Sequence, residues 1–182
     1  MEKCLTRWRI KANENKSTHI TCTLKREDCP AVTLNGNQIP QGETARSSGI
    51  YLDRRLTWRT HIFAKRKRPG LKFQQMYWII GRKSELSTEN KLLICKTILQ
   101  PTWTYIISLW GVASNSKIEI LQRYQHKVLW AIVSARWYVS NKVTHADLNV
   151  PTIREEITKF NVKYIDKITT HPNELAPTLL EE

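Results

Sequence analysis

The chain has 182 residues, with 29 Lys and Arg against 16 Asp and Glu, for a net charge of +13. That length suits one domain, or a small domain with an extension, and 41% apolar residues are enough for a real core. No apolar run reaches the roughly 18 residues of a membrane span, and the residues after Met1 lack a signal-peptide stretch, so a spanning or exported protein is set aside and the charge points to an anionic partner.

In chain order, residues 6–10 read as a short helical stretch with no cap before it, and residues 13–17 as a turn. Residues 19–24 alternate polar and apolar side chains as a strand does. Val32-Thr33-Leu34 and Asn37-Gln38-Ile39 flank Asn35-Gly36, a pair that favours a two-residue type I′ turn. Residues 48–52 read as a further strand. From Thr57 the period becomes helical. Residues 57–67 are amphipathic, Pro69-Gly70 is expected to break the helix, and residues 71–80 resume it up to Gly81. Ser84 or Ser87 caps a long helix through Leu92, Leu93, Cys95, Ile98 and Leu99, which Pro101 interrupts, and an apolar run over residues 103–110 closes at Gly111. The next helix, capped by Asn115 or Ser116, lines up Ile118, Leu121, Tyr124, Val128, Leu129 and Ile132. The last begins near Pro151-Thr152, with Glu155 and Glu156 where the helix dipole favours acid. It carries Ile153, Ile157, Phe160, Tyr164, Ile165 and Ile168, and stops by Pro172. The expected fold is α+β: a small antiparallel strand region over residues 1–56, then a mainly helical bundle over residues 57–182.

Four Cys (Cys4, Cys22, Cys29, Cys95) and five His show no metal-ligand spacing. Cys22 and Cys29 are near enough in sequence to face each other across a hairpin. Free thiols in a reducing, intracellular compartment, nuclear or cytoplasmic, are the expectation. The positive charge is concentrated: ten Lys and Arg and no Asp or Glu fall between Arg54 and Lys83. Such a block repels itself unless an anion lies alongside, either a phosphate backbone or an anionic membrane surface. A merely solvated helix face would mix both signs. The candidate phosphate contacts are Arg54, Arg55, Arg59, Lys65, Arg66, Lys67, Arg68 and Lys72. Trp and Tyr threaded through the helices are read first as core and second as stacking surfaces for bases.

Gly49-Ile50-Tyr51-Leu52-Asp53-Arg54-Arg55-Leu56-Thr57-Trp58, followed by His61-Ile62, resembles a strand-to-helix passage in the reverse transcriptases (RNA-directed DNA polymerases) of non-LTR retrotransposons, above all the jockey type of arthropods. The likeness continues through Asn90-Lys91-Leu92-Leu93-Ile94, Pro101-Thr102-Trp103-Thr104-Tyr105, Leu109-Trp110-Gly111 and Asp147-Leu148-Asn149-Val150-Pro151. Upstream, Trp8-Arg9-Ile10-Lys11 with Lys16-Ser17 is similar to the family's segment after its catalytic aspartates. The resemblance implies that residues 1–56 are the rear of a polymerase palm and that residues 57–182 are a thumb-like unit holding template and primer. It implies that Lys16 matches a palm lysine acting on the leaving pyrophosphate. The intact family enzyme holds two Mg2+ ions on closely placed carboxylates, including an aromatic-x-Asp-Asp turn. This chain has four Asp (Asp28, Asp53, Asp147, Asp166) and no adjacent pair, so it is expected to hold no cofactor of its own, with the catalytic strands upstream of Met1. Ser47-Ser48, Trp130 and Arg136 depart from the family pattern, as does the expected break at Pro69-Gly70, and these changes suit a drifting copy.

Three functions accommodate these features. The chain is a polymerase remnant that at most binds RNA or DNA backbones without sequence preference; or it is a fragment of an active reverse transcriptase, or a part of one working in trans with the missing palm; or it is a helical module co-opted for protein interaction.

Overall fold

The computed structural model describes residues 4, 7–9, 11–24, 30–34, 36–173, 175, 176 and 178, and the chain forms two compact units, residues 1–61 and 62–182. The architecture is α+β, with short antiparallel hairpins followed by helices.

In the first unit, β1 (Thr33–Leu34) pairs with β2 (Asn37–Gln38), placing Leu34 opposite Asn37 across a two-residue connection. Gly36, at φ +82°, supplies the left-handed backbone such a turn needs, while Asn35 lies outside the described residues. A longer hairpin joins β3 (Thr44–Ser47) to β4 (Ile50–Asp53), with Ser47 opposite Ile50. Its turn residues Ser48 and Gly49 both take positive φ, +49° and +81°, which corrects the strand expected from residue 48: the chain reverses there before β4 begins. Residues 19–24 also fail to form their expected strand. His19 makes one parallel bridge to Gln41, and the Thr23 N–H donates to the Arg54 carbonyl at 3.0 Å. Alternation alone does not make a strand without a ladder to join. The helix expected over residues 6–10 and the proximity of Cys22 to Cys29 involve residues outside those described; Cys22 itself is an exposed, free thiol.

Asp53 sets the entry to α1 (Arg59–Gln75): one carboxylate oxygen accepts the Trp58 N–H at 3.3 Å and the other accepts the Thr57 hydroxyl. In the second unit, α1 runs through Pro69-Gly70 without the expected break. Proline removes one helical donor and crowds the preceding turn, a loss on the order of 3 kcal/mol in an isolated helix. Here the Pro69 ring is fully buried, and the Tyr124 hydroxyl donates to the Pro69 carbonyl at 2.7 Å. Tertiary packing offsets the local penalty, and the helix instead pauses at Met76 before α2 (Tyr77–Ile80).

Ser87 caps α3 (Thr88–Ile94) by accepting the Asn90 N–H at 3.3 Å. A π turn over Cys95–Leu99 leads into α4 (Gln100–Thr104), and this widened turn admits Pro101, which has no N–H to donate. The chain then bends at Tyr105 and Ile106, the latter left-handed at φ +54°, before α5 (Ile107–Trp110). After it come α6 (Asn115–Val133), α7 (Asn141–Asp147) and α8 (Ile153–Thr169). Thr152 and Glu155 form a reciprocal capping box at the start of α8. The sequence reading does not include α7, which Ser140 caps.

Helix α6 is the central element, packed against α3, α7 and α8. It buries all six apolar side chains expected of it, together with Gln122 and Gln125. Leu99, Trp103, Ile107, Trp110 and Ile153 complete the core. At Gly111 a Cβ would come within 2.8 Å of Ile157, so the end of α5 can lie against α8 only with glycine there. The apolar face expected along all of α8 is used only at its start: Ile153, Glu156 and Ile157 are buried, whereas Phe160, Tyr164 and Ile165 are exposed. Cys95 is buried and its thiol is pushed up to about 12, mainly by burial, which makes it an inert core group.

Candidate nucleic-acid interface

The eight candidate phosphate contacts divide between the two units. In the first, Arg54 is half-buried in the turn that follows β4, and Arg55 and Arg59 are exposed; Lys16, the residue matched to a palm lysine, is exposed at the end of a single 3-10 turn, Glu14–Lys16. In the second, Arg66, Lys67, Arg68 and Lys72 stand exposed on α1. Lys65 is different. It is 8% exposed, and its ammonium donates to the carbonyls of Thr102 at 2.9 Å and Tyr105 at 3.1 Å while lying 4.7 Å from the centre of the Tyr105 ring. Its pKa is lowered to about 8, first by burial and then by Arg68. The structure thus takes Lys65 out of the phosphate-facing set and makes it a clamp on the bend between α4 and α5. Lys91 does similar work, donating to the Gly81 and Ser84 carbonyls.

Two helical residues absent from the sequence-based set complete the surface. Arg123 and Lys127, four apart on α6, face Arg66 and Lys67 across a cleft of about 680 Å³ that Phe63, Ala64, Ile120 and Tyr124 also line. A second cleft of about 470 Å³ shares Arg123 and Lys127 and adds Arg82. Among the described residues no Asp or Glu lines either cleft. The two clefts together gather Arg66, Lys67, Arg82, Arg123 and Lys127, and low-dielectric walls strengthen the field such a group exerts on an anion. The i, i+4 spacing of Arg123 and Lys127 was readable as a helix stripe. Its apposition to α1 was not, because the two positions lie outside the basic block in sequence.

A buried polar network backs this face. The Gln122 amide donates toward Gln125 Oε1 at 3.0 Å, and its nitrogen lies 2.9 Å from His126 Nε2 and 3.3 Å from His145 Nε2. The Gln122 carbonyl oxygen accepts the Ile153 N–H at 2.8 Å, and Gln125 donates to the Pro151 carbonyl. His145 Nδ1 lies 2.7 Å from the Val150 carbonyl, so that nitrogen carries the proton and Nε2 is left to accept. The Gln122 amide nitrogen has two hydrogens for the three neighbours around it, Gln125 Oε1 and the two imidazoles. Burial, then His145, lowers the pKa of His126 below 6.5, with Glu119 opposing. A histidine depressed in the folded state binds protons more readily when unfolded, so its stabilising contribution is complete above 6.5 and is lost as pH falls from there. Thermal unfolding of the chain is expected to move to lower temperature between pH 7 and pH 5, with His126→Gln, which keeps an acceptor for Gln122, reducing that dependence. An unchanged pH profile in the variant would refute this account.

Among the described residues, no three His, Cys, Asp or Glu come together as a metal site, and no helix is long and apolar enough to cross a membrane.

Comparison with known proteins bears out the resemblance to jockey-type polymerases. Over 173 residues, 95% of its length, the chain is 39% identical to the probable RNA-directed DNA polymerase from transposon X-element of Drosophila melanogaster. Over 95% of its length it is 32% identical to the RNA-directed DNA polymerase from mobile element jockey of Drosophila funebris, and over 96% it is 32% identical to the probable RNA-directed DNA polymerase from transposon BS of Drosophila melanogaster. The chain spans 19% of the length of each of these curated relatives. No family model and no solved structure matches it.

Proposed function

We propose, from the kinship of this chain with one segment of the RNA-directed DNA polymerases of jockey-like non-LTR elements, that it grips the sugar-phosphate backbone of template and primer and does not itself carry out nucleotide addition. The observation that carries the reading is the α1–α6 cleft, where Arg66, Lys67, Arg123 and Lys127 converge with no carboxylate among the described lining residues. Lys and Arg neutralise phosphates irrespective of sequence, which is what a grip on a moving template requires. Nucleotide addition by the family's route needs paired carboxylates for two Mg2+ ions, and this chain offers no adjacent aspartates. The ions belong to the catalytic strands of the intact enzyme, and the backbone grip serves those strands.

The test joins two assays on one preparation. A primed RNA–DNA hybrid or DNA duplex is expected to bind with a log–log salt slope on the order of −4 to −5, corresponding to about four to six phosphates. The same protein should extend no primer in Mg2+ or Mn2+. Salt-insensitive binding would overturn the backbone reading; template-dependent incorporation would overturn the division of labour.

A further inference from the structure

The second cleft is built differently from the first. It is lined by Phe73, Tyr77 and Trp130 as well as by Arg82, Arg123 and Lys127. Its volume of about 470 Å³ falls within the range of small-molecule sites, roughly 300–1,000 Å³. Tyr77 is 45% exposed, yet its ring is held edge-on by the buried Phe73, centroids 5.7 Å apart and planes at 82°. A half-exposed ring with a fixed orientation is a ready surface for stacking. Trp130, half-buried, lines the same cleft, while its indole N–H is buried away from solvent without a hydrogen-bond partner. Arg82 is tethered by its contact with the Ala135 carbonyl at 3.4 Å. Phosphate alone has no use for the aromatic rings, and an apolar ligand has none for the cations. A nucleotide uses both.

We infer that this cleft receives one unstacked base of a single-stranded nucleic acid, stacked on Tyr77 and Trp130, with the flanking phosphates on Arg82, Arg123 and Lys127. This rests on the backbone-binding reading and adds a base-holding subsite to it. Arg123 and Lys127 line both clefts, so a strand tracking the first reaches the second without leaving its cations. Stacking on an aromatic side chain is tolerant of sequence, because every base offers a π face.

The test compares a thymidylate dodecamer with an abasic dodecamer of the same sugar-phosphate backbone, by fluorescence anisotropy on the full chain at low salt. The thymidylate strand should bind at least about fivefold tighter, the low end for one stacked base. Tyr77→Ala should remove that difference and leave the abasic Kd unchanged, while Tyr77→Phe should keep it. Trp130→Leu, with its fold checked by circular dichroism, should act like Tyr77→Ala. Equal affinity for the two oligomers overturns the base subsite and leaves the backbone grip standing. Binding of neither overturns both, and an equal loss for both oligomers in Tyr77→Ala assigns the residue a structural role and overturns the stacking.

Discussion

Replacing Arg66, Lys67, Arg123 and Lys127 together by Gln is expected to flatten the log–log salt dependence of duplex binding by about 3 to 4 units, since each neutralised phosphate contributes about 0.9. The parent protein should lose roughly 10²- to 10³-fold in affinity between 50 and 200 mM salt, while the variant loses about tenfold or less. All four side chains are exposed, so the substitutions should leave the fold nearly untouched. The discriminating control is a second quartet, Arg55, Arg59, Arg68 and Lys72, which has the same formal charge and is also exposed. If charge count alone governed binding, the two quartets would weaken it equally. If the α1–α6 cleft focuses the field, the first quartet does most of the work. A larger flattening in the control quartet would move the interface elsewhere on the chain. The four consecutive basic residues 65–68 are the wrong set to replace together, because Lys65 is a structural clamp and its loss would mix unfolding with lost contacts.

What could be read from the sequence followed physical range. The core face of α6 was legible because six apolar positions repeat at helical spacing, and the start of α8 because Pro151-Thr152 precedes Glu155 and Glu156, acids placed where the helix dipole favours them. The two-residue connection between β1 and β2 was legible for the same local reason, and the Ser48-Gly49 turn carried a comparable signal that was absorbed into a strand. Pro69 misled because its penalty is local while its compensation, the Tyr124 hydroxyl, lies 55 residues away. Arg123 and Lys127 were missed for the same reason: what makes them part of a basic surface is a neighbouring helix rather than neighbouring residues. Lys65 shows the reverse error. Charge along a sequence says nothing about which cation the fold needs for itself.

Lys65→Met is therefore expected to destabilise the second unit by about 2 to 3 kcal/mol at pH 7, the scale for charge-assisted hydrogen bonds lost from a buried site. Methionine replaces most of the hydrocarbon stem but removes this donor from the Thr102 and Tyr105 carbonyls, the latter also accepting the Trp110 indole N–H at 3.2 Å. These carbonyls flank the bend where β-branched Ile106 sits at φ +54°, a conformation that persists only if its surroundings impose it. The pH dependence separates this role from mere loss of packing. In the folded chain Lys65 has its pKa lowered to about 8, whereas unfolded it titrates near 10.5. Below pH 8 both states hold the proton and the folded state carries the full cost of burying it. Between 8 and 10.5 the folded chain releases the proton first, so rising pH favours folding through this group. A neutral lysine still has two N–H donors for its two carbonyls, so the clamp survives the loss of charge. Urea unfolding of parent and variant at pH 7 and again near pH 9.5 should therefore show the stability gap widening with pH. A gap that stays constant or narrows would mean that Lys65 serves the bend through its charge or its stem, and not as the donor that holds two carbonyls in place.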